Sequence, residues 1–409
     1  MIIVWENDGQ PFDQQKIEEL GFRINTAKDL TGLPGTGDQQ AYNFVGFLTN
    51  DENDMMAVFP KHFTVKDVEA DSEFLFRVIN KHRQRHPDCY LGDQYGNSFR
   101  SNYPFAAFFG IYDYYRRFGL YVEERSLVKA GVDGRISWKE TIRRAGTYLA
   151  GGKVVMYPLY YKQKYVFSTF LTECMVFAIN YTLDKFGSFL KLPQTGLTFP
   201  EFDYLRERRS VVERLLRLRE QVFRDELLSL IDHLVIFYSL IREGGCYYWK
   251  CDTFSAVWED MVSEYLRKYF CGVEQGHIVF NKERSWHLPF AKRKFYPNKA
   301  IEDQYIELDA YAAKGNSQYI FDAKYYTHIH GLDYKQLVYH LLLCEMRERE
   351  MDGEVSYPVT LSALVLPGER RESRVHFEMD PRFNKTYGGM QILEEYLDIR
   401  EVMNVYVNG

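Results

Sequence analysis

The segment that most constrains the fold of this chain runs from residue 306 to residue 326 and reads IELDAYAAKGNSQYIFDAKYY. Two runs of alternating residues flank Gly315-Asn316, and a two-residue turn of this kind predicts a β-hairpin. With Gly315 and Asn316 as the loop, Asp309 lies directly opposite Asp322. Because side chains alternate between the two faces of a strand, one face is expected to carry Glu307, Asp309, Asp322 and Lys324, and the other Ile306, Leu308, Ala310, Phe321 and Ala323.

Two carboxylates that face each other across a strand pair destabilise it, because like charges repel. A divalent cation held by oxygen ligands removes this cost. The pattern therefore predicts a metal site at Asp309 and Asp322, with the Lys324 ammonium aimed at a water molecule or a phosphate. The alternative is that both aspartates are surface carboxylates in weak ion pairs with Lys324 and Lys314.

An acid on one strand followed by acid-x-lysine on the next resembles the motif of the PD-(D/E)xK nuclease superfamily. The matching residues are Asp309 and Asp322-Ala323-Lys324, and Leu308 stands where the motif has proline. The resemblance implies Mg²⁺, for which Mn²⁺ substitutes, bound by the two aspartates. It also implies that Glu259, in the helical segment FSAVWEDMVSEYL, completes the metal site. The alternative for Glu259 is a solvated helix carboxylate.

Gln336 and Tyr339 follow the hairpin in a segment with helical periodicity, where a spacing of three residues places them on one face. They resemble the Gln-x-x-Tyr motif of the RecB-like branch of the same superfamily. The resemblance implies that they orient Lys324 or the cleaved DNA strand. The alternative is that Tyr339 is a core aromatic with Gln336 at its edge.

Longer motifs narrow the resemblance to restriction enzymes. FDAKYY followed by QLVYHLL is similar to the nuclease subunit of McrBC-type systems, and FVGFLT, FPKHF and GRISWKETI resemble the LlaJI family. This implies an endonuclease subunit that cuts double-stranded DNA together with a separate McrB-like AAA+ GTPase. No GxxxxGK[ST] phosphate loop occurs in the sequence, so nucleotide hydrolysis is expected from the partner.

The net charge of -6 gives the whole chain no electrostatic preference for nucleic acid. The segment from 281 to 299 is nevertheless strongly basic, and we predict that it follows the DNA backbone. The alternative is an ordinary solvated basic loop. The basic residues of this segment are Lys282, Arg284, Lys292, Arg293, Lys294 and Lys299.

The 409 residues are enough for two or three cores, and the expected class is α+β or α/β. Residues 1–95 are predicted to form a β-rich N-terminal domain, with strands in NFVGFLT and MMAVFPKHF. Residues 96–245 are predicted to form a helical module that docks the partner or DNA. Residues 246–409 are predicted to form the PD-(D/E)xK nuclease domain, with the element order αβββαβ and a mixed sheet flanked by helices.

The six scattered cysteines are predicted to be reduced thiols of a cytoplasmic protein, and neither a signal peptide nor a membrane segment is expected. Two other functional classes stay open. One is a DNA-binding or adaptor subunit that keeps the nuclease scaffold without catalysis. The other is a repair nuclease for branched or single-stranded DNA, which an aromatic content of 16% would suit through stacking. Assembly into a homo-oligomer is also left open.

Overall fold

The computed structural model describes residues 3–33, 38–52, 54–86, 99–199, 202–242, 245–274, 276–329, 331–350, 353–357 and 359–409. Within these residues the architecture is mixed α+β with several sheets. The chain forms two compact units. Unit 1 comprises residues 1–102, 188–190 and 245–409, and unit 2 comprises residues 103–187 and 191–244.

Helices and strands follow one another along the chain in three stretches. The first is β1 (Ile3–Asn7), α1 (Gln14–Glu19), α2 (Thr26–Asp29), β2 (Leu30–Gly32), β3 (Gln40–Tyr42), β4 (Val45–Thr49), β5 (Met55–Phe59), α3 (Val68–Arg85) and β6 (Phe99–Ser101). The second is α4 (Phe105–Phe118), β7 (Val122–Ala130), β8 (Arg135–Ile136), α5 (Trp138–Arg144), β9 (Gly146–Ala150), β10 (Lys153–Tyr157), β11 (Tyr160–Ser168), α6 (Phe170–Leu190), α7 (Arg208–Arg219) and α8 (Asp225–Leu240). The third is β12 (Tyr248–Cys251), α9 (Phe254–Tyr269), β13 (Phe270–Glu274), β14 (His277–Phe280), β15 (Ala291–Phe295), β16 (Ile306–Lys314), β17 (Ser317–Ala323), α10 (Tyr334–Leu343), β18 (Arg347–Glu350), β19 (Gly353–Ser356), β20 (Val359–Gly368), β21 (Glu372–Glu378), β22 (Gln391–Asp398) and α11 (Ile399–Asn408).

The first sheet of unit 1 has the strand order β1-β5-β4-β12-β6. The two strands predicted around residues 45 and 55 are confirmed as β4 and β5, which pair antiparallel. Strand β12, from a distant part of the chain, pairs with both β4 and β6. The division into three domains, with boundaries near residues 95 and 245, stays a prediction. The two compact units are grouped differently, because β12 brings residues after 245 into the N-terminal sheet.

The second sheet of unit 1 is mixed and has the order β15-β16-β17-β20-β22-β21. The predicted hairpin is confirmed as β16 and β17, and its register runs from Ala310 opposite Phe321 to Lys314 opposite Ser317. Phe321 packs against Phe270 at the end of α9, whereas the next residue along the strand, Ile320, packs in the cluster of α10. Because neighbouring side chains point to opposite faces, α9 and α10 cover the two faces of the hairpin.

The predicted element order is wrong in two places. Strand β14 pairs with β13 in a separate two-stranded sheet, and β15, which lies in the basic segment, takes the edge position beside β16. The predicted helix after the hairpin continues to residue 350, but α10 ends at Leu343. Residues 347–350 instead form β18, because they pair with β19 in an antiparallel hairpin.

Unit 2 combines helices with short sheets. The prediction of helices from residue 97 to residue 243 is wrong for most of residues 122–168, where β7 and β11 pair along their whole length and β9 pairs with β10, although α5 within this range is helical. Most side chains of these strands are exposed and many of them are apolar, so no clear alternation of polar and apolar residues marks the strands in the sequence. The predicted leucine-rich helices are confirmed as α7 and α8, which bury Leu215, Leu230 and Leu234.

Two further expectations concern the oxidation state of the cysteines and the presence of a membrane segment. Cys174, Cys246, Cys251, Cys271 and Cys344 are free thiols. Among the residues that the structure describes, no helix is long and apolar enough to cross a bilayer.

Candidate active site

Asp309 lies at a β-bulge in β16. Ala291 pairs with Tyr311 and Arg293 pairs with Leu308, so Asp309 and Ala310 together face one residue of β15. A bulge of this kind bends the strand and changes the direction of a side chain. The Asp309 carboxylate turns toward the neighbouring strand, where its Oδ2 accepts a hydrogen bond of 3.0 Å from the Ala323 backbone N–H.

The bulge also corrects the predicted distribution of side chains. Leu308 packs with Tyr311, Ile320 and Tyr339 in one cluster. Ile320 is two residues before Asp322 on β17 and therefore shares its face. The prediction that Leu308 lies on the face away from Asp322 is wrong, because the extra residue of the bulge shifts the alternation of side chains by one position.

Asp322 is a buried carboxylate at the end of β17, and the residue is only 2% exposed. The Lys324 ammonium lies 2.6 Å from its Oδ2 and the Lys335 ammonium 3.8 Å from its Oδ1. Lys324 is thus a close charged partner of Oδ2, whereas in the described part of the chain Oδ1 accepts no hydrogen bond. Buried polar atoms nearly always have such a partner, so Asp322 has the character of a ligand for a cation.

The carboxylates around Asp309 affect its ionisation. Burial and the nearby charges of Asp322 and Glu259 raise the pKa of Asp309 to about 7, although the Ala323 hydrogen bond and Lys292 oppose the change. Burial alone would lower the pKa of Lys324, but the charges of Asp322 and Asp333 outweigh it, and the pKa is raised. At neutral pH Lys324 is therefore cationic. The acidic cluster formed by Asp309, Asp322 and Glu259 favours an additional positive charge.

Glu259 reaches the cluster from α9. The helix is held against the sheet by buried Val257 and Trp258, and the Trp258 Nε1–H donates a hydrogen bond of 3.2 Å to the Val365 carbonyl of β20. Glu259 is partly exposed, and its Oε2 lies 2.5 Å from the Lys292 ammonium. Lys292, predicted from the sequence as a DNA contact, thus belongs to the acidic cluster in this structure.

Helix α10 supports the hairpin from the other face. Gln336 is fully buried, and its Nε2–H donates a hydrogen bond of 3.1 Å to the Ile320 carbonyl of β17. Tyr339 is buried in the cluster with Leu308 and Tyr311. Gln336 therefore holds the strand that carries Asp322, whereas Tyr339 packs in the core beneath it.

Sequence reasoning missed Asp333 as a member of the site. Asp333 is the N-cap of α10, and its Oδ1 accepts a hydrogen bond of 2.8 Å from the Gln336 backbone N–H. Its Oδ2 lies 3.6 Å from the Lys324 ammonium. The available signal was its position directly before a helix, where aspartate is a favoured cap. The fold brings this cap beside the hairpin lysine.

The other basic residues of the segment 281–299 are partly engaged within the protein. Arg284 pairs with Glu274 at 3.0 Å, and Lys294 pairs with Glu307 at 3.3 Å. The Arg293 guanidinium stacks on the rings of Phe295 and Tyr311. Lys282 and Lys299 are exposed.

Comparisons with known proteins bear on this arrangement. No curated protein matches the chain. One similar solved structure is the refined half-complex from the tetradecameric assembly of Thermococcus gammatolerans McrB AAA+ hexamers with bound McrC. The match covers 100% of this chain and 98% of that chain at 14% identity, with a TM-score of 0.41. The family model described as LlaJI restriction endonuclease matches residues 44–337, more than two thirds of the chain. This chain therefore belongs to the LlaJI restriction endonuclease family.

Proposed function

We propose that this protein is the metal-dependent DNA endonuclease subunit of a restriction system that defends against phage. The observation that carries the proposal is the buried Asp322 carboxylate, whose Oδ1 accepts no hydrogen bond among the described residues and whose Oδ2 lies beside the charged Lys324, close to a second acid. Membership in a restriction endonuclease family supports nuclease activity. The hairpin with helices α9 and α10 on its two faces supports assignment of this region to the PD-(D/E)xK superfamily.

The residues present fit a hard divalent cation with oxygen ligands. Asp309 and Asp322 would hold Mg²⁺ or Mn²⁺, and Glu259 would assist once it leaves its ion pair with Lys292. The Oδ1 atom of Asp322, which accepts no hydrogen bond among the described residues, and the raised pKa of Asp309 both support this, because a cation would bind the first and offset the repulsion behind the second. When bound, such an ion polarises the phosphate and lowers the pKa of the attacking water.

The other side chains act on charge and position. Lys324 stays protonated and stabilises negative charge that develops on the phosphoryl oxygens. Asp333 lies close enough to restrain the ammonium, and Gln336 holds the backbone of β17 by its hydrogen bond. Hydrolysis of this kind depends on positioning and electrostatics and requires no covalent intermediate.

We also propose that double-stranded DNA runs along the basic segment. Lys282 and Lys299 are exposed, and Lys292, Arg293, Lys294 and Arg284 carry further positive charge there. Neutralised phosphates release counterions, so DNA affinity should fall steeply as salt rises. Weak salt dependence of binding would contradict this assignment.

The partner that we propose is a McrB-like AAA+ GTPase in the same cytoplasmic system. Support comes from the family membership and from the lack of a phosphate loop in the sequence. The proposed docking surface is the part of unit 2 between residues 122 and 168, where twelve large apolar side chains are exposed. Exposed apolar residues at this density are typical of protein interaction surfaces.

Cleavage of plasmid DNA by the full-length chain tests the nuclease proposal. Mg²⁺ should support cutting in the presence of the GTPase partner and GTP, and Asp322→Asn should reduce the rate about 1,000-fold. The matched control is Asp303→Asn, which removes an exposed carboxylate six residues before Asp309. Equal rates for wild type and Asp322→Asn would remove this site from the mechanism. A preference for branched or single-stranded substrates would favour a repair nuclease, and binding without any cutting would favour an adaptor.

Co-purification tests the partner. Leu149→Glu places a charge at an 83% exposed leucine of β9 and should abolish capture of the GTPase, whereas Phe383→Glu, at an 84% exposed residue of unit 1, should not. A fragment beginning at residue 245 is unsuitable, because β12 belongs to the N-terminal sheet. Robust cutting by the chain alone with Mg²⁺ and no nucleotide would overturn the partner proposal.

A further inference from the structure

A second cluster of metal-binding side chains lies in unit 1 between helices α3 and α9. His82 is in the last turn of α3, His86 is the C-cap of the same helix, and Asp260 is on α9. The Asp260 Oδ2 lies 2.8 Å from His82 Nδ1 and 2.6 Å from His86 Nε2. One potential ligand atom from each residue lies within 4.8 Å of the other two.

The local structure brings both imidazoles to the Asp260 carboxylate. The His86 backbone N–H donates a hydrogen bond of 3.0 Å to the His82 carbonyl, so one helical turn separates the two residues. Histidines at positions i and i+4 on one helix face form a familiar pair of zinc ligands. Their ring centroids are 4.6 Å apart, and Asp260 approaches from the neighbouring helix. The three groups therefore surround one point from two elements.

The dimensions suit a small tetrahedral ion. Metal–ligand bonds of about 2.0–2.1 Å in tetrahedral geometry separate neighbouring ligand atoms by about 3.3 Å. The observed separations from the aspartate oxygen are shorter by about half an ångström, which small rotations of the side chains can supply. His82 is buried, whereas His86 and Asp260 are partly exposed. The partial exposure of His86 and Asp260 leaves one side of the cluster open to solvent.

We propose that His82, His86 and Asp260 form a binding site for Zn²⁺ or a chemically similar divalent transition-metal ion. Two imidazole nitrogens and one carboxylate oxygen favour such ions over Mg²⁺, which prefers oxygen ligands throughout. The site is chemically different from the all-carboxylate cluster of Asp309 and Asp322. Because Asp260 follows Glu259 directly on α9, a bound ion ties the helix that carries Glu259 to the N-terminal part of unit 1.

Co²⁺ is the probe for the test, because tetrahedral Co²⁺ with nitrogen ligands absorbs visible light strongly. Full-length protein stripped with a chelator should bind one Co²⁺ with this absorption, and Zn²⁺ should displace it. His86→Gln should weaken Co²⁺ binding about 100-fold. His277→Gln, which alters an exposed histidine of β14, is the matched control and should bind normally.

Two more variants separate this site from the proposed nuclease centre. Asp309→Asn should keep the Co²⁺ spectrum, and Asp260→Asn should lose it. His86 and Asp260 are partly exposed, so far-ultraviolet circular dichroism should show that both variants stay folded. Absence of the tetrahedral spectrum in wild type would overturn the proposal and leave a metal-free hydrogen-bonded cluster. An unchanged spectrum in His86→Gln, or its loss in Asp309→Asn, would do the same.

Discussion

Two lysine–aspartate pairs of unit 1 have a buried aspartate and the same nitrogen–oxygen separation of 2.6 Å, but the surroundings of the two aspartates differ. Lys250 pairs with Asp29 beside the first sheet, and Lys324 pairs with Asp322 in the second. Asp29 Oδ2 also accepts a hydrogen bond of 2.7 Å from the Asn25 backbone N–H, and Oδ1 accepts one of 2.8 Å from Arg100. Both oxygens of Asp29 are therefore satisfied within the protein.

The electrostatic consequences are opposite in the two regions. Burial would raise the pKa of Asp29, but Lys250 and Arg100 outweigh it, and the pKa is lowered. Next to Asp322, burial and the neighbouring carboxylates raise the pKa of Asp309. The first region has enough cations and donors for its acids, and the second does not. The two pairs have the same ion-pair distance, so distance does not distinguish them. What distinguishes the structural pair from the candidate catalytic pair is whether the carboxylate oxygens have enough hydrogen-bond donors and cations around them.

The largest expected effects come from removing each lysine. Lys324→Ala should lower the cleavage rate about 1,000-fold, because its charge is assigned to the transition state. With Mg²⁺ present its free energy of unfolding should change by less than about 1 kcal/mol, because the bound cation replaces the lost charge beside Asp322. Lys250→Ala should lower the free energy of unfolding by about 3 kcal/mol, because it leaves a buried carboxylate short of charge. Urea unfolding and plasmid cleavage measure the two effects. Similar losses of stability in both variants would remove the distinction.

Replacing the aspartates gives the next largest difference. Asp29→Asn should destabilise the protein by about 2 kcal/mol, because it breaks a satisfied buried pair. Asp322→Asn should leave the metal-free protein unchanged or stabilise it by up to about 1 kcal/mol, since it removes repulsion with Asp309. Mg²⁺ should raise the melting temperature of wild type, and Asp322→Asn should abolish this rise. A clear destabilisation by Asp322→Asn without metal would show that this acid is structural.

The smallest effect is a difference in pH dependence. The pKa of Asp309 is about 7 in the folded protein and 3.8 in the unfolded chain. Between pH 3.8 and pH 7 the folded state therefore binds a proton at Asp309 that the unfolded state has lost. Stability of the metal-free protein should therefore fall by about 1 kcal/mol between pH 4 and pH 7 relative to Asp309→Asn. Asp29 acts in the opposite sense, because its lowered pKa gives stability above its unfolded pKa that is lost on acidification. Parallel pH profiles for wild type and Asp309→Asn would contradict the prediction.

Local sequence rules were sufficient for the hairpin and for its register. The Gly315-Asn316 turn and the alternation of β17 depend on residues close together in the chain, and these rules place Asp322 correctly in β17, with Lys324 directly after its last residue. The same is true of β4, β5, α7 and α8, whose periodic patterns are strong. Strands β7 to β11 were missed, because their exposed faces carry many apolar residues and weaken the pattern.

The sequence by itself determined which residues lie on the hairpin and which acids are brought to its end, because turn chemistry and strand alternation are local. Only the tertiary structure decided the direction of Asp309, since the bulge arises from pairing with β15. It also decided that Lys292 pairs with Glu259, that Asp333 lies beside Lys324, and that β12 joins the N-terminal sheet. Each of these depends on contacts between residues far apart in the chain, which no local pattern specifies.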